Sequence, residues 1–341
     1  MTEPKHYYMD HPAYESIRKR LEGYGWVAGV AIANKDLIYI LFEWTGRGKH
    51  AGSVKLTRYD HTAEDPWQEV HISHYADHKL VIDPVREELV VSGSNDGWRV
   101  NGTHHLVYPV TADLTRLTYP EREHERDGAL LMNFRFRNFK VIAGTLYAVG
   151  NGGAVAIRRT PDGNWHSLGL EGLPLIEPRP DLDHPRVSIG AKSIDGFAHD
   201  NLYICGKQGH LWHYNGRRWR RIDIPTLDDL AAVCCIDKGV MFVLSEKGGV
   251  WIGDGDRWSA LPQLPTWEVK SATVFDQKLW VGAKLGTYIL DLQHPDPFEY
   301  ISLSAMPGGA DVISQSENEL ILGAGGKIVV YDGEFEQFMG W

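Results

Sequence analysis

From Leu202 onward, apolar and polar positions alternate in short runs that return in a fixed order. Leu202-Tyr203-Ile204-Cys205-Gly206 leads through Gly209 to Leu211-Trp212, then to Tyr214-Asn215-Gly216 and Trp219. The order recurs at Met241-Phe242-Val243 with Gly248, Val250-Trp251, Asp254-Gly255 and Trp258. It recurs again at Leu279-Trp280-Val281-Gly282 with Gly286 and Tyr288-Ile289, and at Leu320-Ile321-Leu322-Gly323 with Ile328-Val329-Val330 and Asp332-Gly333. A period of two is that of a half-buried strand. Asn-Gly and Asp-Gly supply the positive φ of a tight hairpin, so each copy predicts consecutive antiparallel strands.

Hairpins repeated at fixed period predict a radial array, and the β-propeller is the leading solution. Taking Leu37, Leu89, Leu146, Leu202, Met241, Leu279 and Leu320 as starts of second strands gives seven blades, with six as the alternative. The fold expected is therefore all-β, a single propeller over residues 26–341 after an N-terminal segment, 1–25. Within that segment, His11 to Leu21 predicts a short helix, because Pro12 suits a first turn and Tyr14, Ile17 and Leu21 share a face. Glu334 to Trp341 reads as the outer strand of the last blade, and Tyr7-Tyr8-Met9 as a strand that could join it. The N-terminal repeats are spaced more widely, with insertions at Trp44 to Ser53, Gly93 to His105, Tyr119 to Gly128 and Gly172 to Arg186. The last carries Pro174, Pro178, Pro180 and Pro185 and is expected to be exposed, irregular and dispensable for folding. Loops added to a rigid scaffold are where recognition is expected.

The Gly-Gly pairs Gly152-Gly153, Gly248-Gly249 and Gly325-Gly326, followed by aromatic residues, resemble a loose kelch pattern. A Gly-containing turn followed by Trp, at Asp162-Gly163-Asn164-Trp165, Asn215 to Trp219 and Asp254 to Trp258, is similar to repeats of bacterial sensor and YVTN-type propellers. No Trp-Asp dipeptide of the WD repeat closes a blade. The resemblance implies architecture and brings no catalytic motif, and propellers host enzymes and binding scaffolds alike.

The 341 residues carry a formal charge of −10, which disfavours nucleic acid and anionic membranes as partners and suits a basic one. Met1 to His6 has no apolar run for export, and no stretch is long enough to span a bilayer. With three cysteines, Cys205, Cys234 and Cys235, the expected setting is a reducing cytoplasm, with these thiols buried in strands.

Three places carry possible chemistry. His71, His74 and His78, with Asp77, form the densest group of metal ligands, but strand alternation separates His71 from His74, so no metal or other cofactor is expected. Arg217-Arg218-Trp219-Arg220-Arg221 spans a turn and an outer strand, which predicts a solvated edge rather than a nucleic-acid patch. The third is a set of strand starts. Nine or ten residues before the repeat anchors stand Lys79, Arg137, Lys192 and Lys270, with Asp311 in the last repeat. Each begins a channel-lining strand at one face, so together they predict a cationic mouth able to hold an anionic group. Arg137 and Lys270 share a register and are expected to point inward, opposed by Asp311; pairing with Asp311 and loop carboxylates is the competing structural reading. The function expected is non-catalytic: a monomeric cytoplasmic propeller that recognises a protein partner, by analogy an immunity protein occluding a basic toxin domain. The alternative is a hydrolase or lyase acting on a small anionic substrate in the channel.

Overall fold

The computed structural model describes residues 14–22, 24–34, 36–44, 54–72, 76–94, 103–111, 114, 136–150, 155–158, 165–168, 171–173, 175–176, 186–187, 190–236, 239–292, 299–301 and 308–339. Among the described residues the chain is all-β apart from one short α-helix, α1 (Tyr14–Arg20). The first sheet comprises β1 (Tyr24–Asn34), β2 (Leu37–Trp44), β3 (Val54–Asp60) and β4 (Trp67–Ile72). The second has, among the described residues, three strands, β5 (Ala76–Asp83), β6 (Glu88–Ser94) and β7 (Thr103–Pro109). The third contains β8 (Phe136–Ile142), β9 (Thr145–Gly150), β10 (Val155–Arg158) and β11 (Trp165–Ser167), and a small hairpin follows, β12 (Leu175–Ile176) with β13 (Arg186–Val187). The fourth sheet is β14 (Ser193–Ala198), β15 (Asn201–Cys205), β16 (Leu211–Tyr214) and β17 (Trp219–Ile222). The fifth is β18 (Leu230–Cys235), β19 (Met241–Ser245), β20 (Val250–Asp254) and β21 (Arg257–Leu261). The sixth is β22 (Val269–Phe275), β23 (Lys278–Ala283), β24 (Gly286–Asp291) and β25 (Glu299–Ile301), and the seventh is β26 (Val312–Gln315), β27 (Leu320–Ala324), β28 (Lys327–Tyr331) and β29 (Phe335–Met339).

Every sheet is antiparallel with strands in sequence order, and the first strands β1, β5, β8, β14, β18, β22 and β26 pack side by side in a closed ring. Six sheets are four-stranded blades. The three-stranded second sheet stands in the ring between β1 and β8, so the expected count of seven and its alternative of six differ only in whether it is counted as a blade. The sequence anchors fall at or within one residue of the second strands, β2, β6, β9, β15, β19, β23 and β27.

Buried aromatic and aliphatic side chains fill the seams between sheets. Trp280 is fully buried, donates its indole N–H to the Phe275 carbonyl at 3.1 Å and meets Tyr331 of the seventh sheet at 4.8 Å between ring centroids. Trp212 and Trp251 are also buried, as the repeat pattern requires. At the junction of the first and last sheets, Ile17 and Leu21 of the α1 segment join Tyr24, Val27, Tyr59 and Trp67 with Ile321, Ile328 and Val330 in one cluster. The Val27 N–H also donates to the Gly325 carbonyl at 2.6 Å. Both end sheets are made of consecutive strands, so packing and this contact join them among the described residues. As expected, β29 is the outer strand of the last sheet; Tyr7 to Met9 lie outside the described residues.

The segment from Gly172 to Arg186 departs from the expectation of an irregular, loosely attached loop. Its described ends pair as β12 and β13, Leu173 is buried, and Leu168 and Leu173 pack in one cluster with Trp219. Gly172 has a φ of +89° and lies where an added Cβ would run into the Trp219 carbonyl, so this end of the insertion is anchored to the fourth sheet. The prolines that prompted the expectation, Pro174, Pro178, Pro180 and Pro185, all lie outside the described residues.

Candidate functional site

Because each sheet runs outward in sequence order, all innermost strands begin on one face, here the proximal face. The turns between second and third strands and the connections that leave the four-stranded sheets share that face, while the first-to-second and third-to-fourth hairpins lie on the distal one, where β7 also ends beside the β5–β6 turn. Backbone hydrogen bonds knit the proximal turns together: Gly209 N–H to Asp228 O at 2.8 Å, Leu264 N–H to Gly248 O at 2.9 Å and Lys284 N–H to Glu268 O at 2.9 Å.

The predicted strand-start residues do lie at this face, and two of the cations there are spent on acids of the next sheet. Lys192, just before β14, places Nζ 2.5 Å from Glu246 and 3.3 Å from Asp229, both belonging to the fifth sheet. Lys270 on β22 sits 2.5 Å from Asp311, just before β26, and 3.8 Å from Glu268. The Gln208 backbone N–H and then Lys192 keep the Asp229 carboxyl below its ordinary range, and Lys284 followed by Lys270 does the same for Glu268. Arg137 on β8 is exposed and Lys79 on β5 half-buried; both have polar or electrostatic partners of their own. The unscreened cationic focus is thus corrected at Lys192 and Lys270, where ion pairs bridge consecutive sheets. Sequence position shows where a strand starts; it does not show which acid the neighbouring sheet offers.

Deeper along the same strands lies a group that the strand-start count passed over. The seven inner strands surround a central cavity of about 690 Å³, walled largely by small and aliphatic residues such as Ala31, Val81, Val141 and Ile313. Lys140 of β8 reaches across it. Its Nζ lies 3.7 Å from Asp195 of β14 and donates to Thr273 Oγ1 of β22 at 3.4 Å. Thr273 donates in turn to Gln315 Oε1 of β26 at 2.6 Å. Asp195 accepts backbone N–H groups from Gly196 at 2.9 Å and from Cys235 of β18 at 3.0 Å. Burial alone would lower the Lys140 pKa; Asp195 together with the neighbouring Cys234 and Cys235 more than offsets this and leaves it above the usual lysine value. The signal was present in the sequence: Lys140, Asp195 and Thr273 stand three residues beyond Arg137, Lys192 and Lys270.

The third feature of the proximal face is apolar. Among the described residues the exposed large hydrophobic side chains are Trp26 (45%), Val85 (55%), Leu227 (82%), Trp267 (60%) and Leu285 (41%). Val85 is distal, in the turn between β5 and β6; the other four are proximal. Leu227 precedes Asp228, which pairs with Lys247 at 2.6 Å, and the Lys247 carbonyl accepts from Gln263 at 2.8 Å in the connection that carries Trp267. Trp267 and Leu285 adjoin the bonded residues Glu268 and Lys284. Trp26, at the start of β1, has Lys270 Nζ 5.9 Å from its ring. The result is a row of apolar side chains on the fifth and sixth sheets with paired charges between them. Strands flanking the expected insertions Trp44 to Ser53 and Gly93 to His105 end on this face, while the insertions themselves fall largely outside the described residues, and Tyr119 to Gly128 wholly so.

Elsewhere, Arg158 of β10 is buried with Asp83 at 3.0 Å and Glu88 at 2.6 Å, tying the third sheet to the second. His71 is exposed at the end of β4, His74 lies outside the described residues, and His78 is placed in β5 by its backbone alone. No group of metal ligands occurs among the described residues. Arg217 and Arg218 are exposed, Trp219 is buried, and Arg220 pairs with Asp256 at 2.9 Å, which is the solvated edge expected of that segment. Cys205 and Cys234 are buried, Cys235 is half-buried, and all are free thiols. Burial pushes Cys234 up to about 12, and it raises Cys205 and Cys235 as well. No described helix is long and apolar enough to cross a membrane.

No protein-family model matches the chain. Among solved structures it is similar to the WD40 β-propeller domain of Doa1, with 12% identity, a TM-score of 0.63, and 91% of this chain and 94% of that one covered. It is also similar to the β-propeller domain of the Trilobed protease from Pyrococcus furiosus, described as having an open velcro topology (11% identity, TM-score 0.55, 92% and 95% covered). At such identities the likeness concerns the fold alone. In sequence, 173 residues are 28% identical to Immune protein Tsi7 of Pseudomonas aeruginosa, covering 50% of this chain and 54% of that protein. The chain is a multi-bladed β-propeller whose sequence is similar, over about half the length of each, to an immune protein.

Proposed function

We propose that this chain is an immunity protein: a non-catalytic cytoplasmic propeller that binds one protein toxin and blocks it by covering its surface. The observation that carries this reading is the 28% identity to Immune protein Tsi7 over 173 residues. The proximal face supports it physically. A protein interface needs apolar anchors that lose water on binding, ringed by polar groups. Leu227, Trp267 and Leu285 supply such anchors on a rigid closed ring, and the ion pairs of Asp228, Lys247, Glu268 and Lys284 supply the rim. A net charge of −10 favours capture of a basic partner by raising the association rate.

The test begins with affinity capture from the native host to identify the toxin, followed by co-expression of the two proteins. The wild-type chain should restore growth, and Leu227→Asp combined with Trp267→Asp should abolish the rescue with the melting temperature unchanged. Rescue by that variant equal to wild type would remove the proximal face from the account. Failure of the wild-type chain to protect against any captured protein would remove the immunity reading.

A further inference from the structure

Lys140 is an underemployed cation. An ammonium has three N–H donors and makes its strong bonds at about 2.7–2.9 Å when the acceptor is charged. Among the described residues its acceptors stand at 3.4 Å (Thr273 Oγ1) and 3.7 Å (Asp195 Oδ2). Asp195 balances the charge from 3.7 Å, and its two oxygens also accept backbone N–H groups, from Gly196 and Cys235. The ammonium is therefore held across an open cavity of about 690 Å³ with donor capacity to spare. A cavity with mostly apolar walls and a few convergent polar groups is the usual form of a small-molecule site.

We propose that the central channel binds a carboxylate, held by Lys140 Nζ and the Gln315 amide N–H, with Thr273 orienting both, since its hydroxyl donates to Gln315 Oε1 and its oxygen accepts from Lys140. The Lys140–Asp195 pair is neutral overall, so a bound monocarboxylate leaves one excess negative charge and a phosphate dianion two, which favours the monoanion. The neighbouring walls, including Val81, Val141 and Ile313, accept a short aliphatic chain behind the carboxylate. Glu87 and Glu317 line the distal end of the cavity, which disfavours the arrival of an anion from that side. The carboxylate can come from a free small acid or from a glutamate side chain of a docked partner. This inference stands apart from the immunity reading and does not depend on it.

The experiment is a calorimetric titration of the full-length protein at low salt with sodium butyrate, with N-acetylglutamate α-amide and, as a control, with inorganic phosphate. Saturable binding of butyrate alone assigns the site to a free acid, and binding of the glutamate derivative assigns it to a side chain of that kind; either supports the proposal when phosphate binds more weakly. Lys140→Met should weaken binding about ten- to a hundredfold, the loss of one charged hydrogen bond. If that variant does not fold, Gln315→Leu and Thr273→Val, which leave the Lys140–Asp195 pair in place, should each weaken binding severalfold. Binding of neither carboxylate, affinity unchanged in the variants, or a preference for phosphate would overturn the proposal.

Discussion

The joint between the first and last sheets is the place where the ring is most open to attack, and Leu21 tests it. Leu21 and Ile17 are fully buried and share one cluster with Ile321, Ile328 and Val330 of the last sheet and with Tyr24, Tyr59 and Trp67 of the first. Replacing a fully buried leucine by alanine costs about 3 kcal/mol, from lost transfer energy and the cavity left behind. With roughly 2 cal/mol/K of unfolding entropy per residue over 341 residues, the entropy is about 0.7 kcal/mol/K, so Leu21→Ala should lower the melting temperature by about 4 °C. Ile17→Ala should do much the same, and the double variant should fall short of the sum, because the two side chains share a cluster and one cavity can relax into the other. Arg18, exposed and paired with Glu15 at 3.1 Å, is the control; Arg18→Ala should stay within about 0.5 kcal/mol. Urea unfolding followed by tryptophan fluorescence measures all four. The reasoning fails if Leu21→Ala costs less than about 1 kcal/mol with the urea dependence unchanged, since α1 would then be a passenger on a ring closed by other means.

Arg158→Met should destabilise by about 3 kcal/mol in the same urea assay, because it leaves the buried Asp83 without its cation while Glu88 keeps Arg86 at 2.8 Å; a neutral result would mean that water reaches Asp83. Stability should also decline on mild acidification. Burial, helped by Arg221 and Arg220 respectively, holds His210 and His213 below the ordinary value of 6.5, so the unfolded chain binds more protons near that pH. Their contribution is present in full above pH 6.5 and is lost as pH falls through the folded-state values; melting temperatures of His213→Gln should fall less between pH 7 and 5 than those of the wild type. The thiols should resist an aromatic disulfide reagent until denaturant is added, and rapid labelling without it would contradict the placement of Cys205 and Cys234 in the sheet cores.

The architecture could be read from the chain because its cause is local. Apolar alternation and Gly-containing turns are written in adjacent residues, and the repeat carried the second strands at Leu37 through Leu320 to their observed places. The short helix was legible for the same reason, with Ile17 and Leu21 on one buried face. What could not be read depends on which sheets meet. Lys270 faces Asp311 and Lys192 faces Glu246 only because consecutive sheets pack side by side, and a list of cations at strand starts contains no information on the acids opposite them. Lys140 escaped for a related reason: a lysine inside a strand reads as a solvated side chain until the ring places Thr273, two sheets beyond Asp195, within its reach. The prolines after Gly172 indicated a loop but not that Leu173 beside them is buried with Trp219.

The central claim is that a protein partner docks on the proximal face of the fifth and sixth sheets. Hydrogen–deuterium exchange of the free chain and of its complex with the captured partner tests it most directly. The account predicts slowed exchange at residues 226–228, 246–248, 263–268 and 284–286, with the distal turns at 254–257 and 275–278 unchanged. Protection confined to the distal turns, or no protection on the fifth and sixth sheets at all, would contradict it.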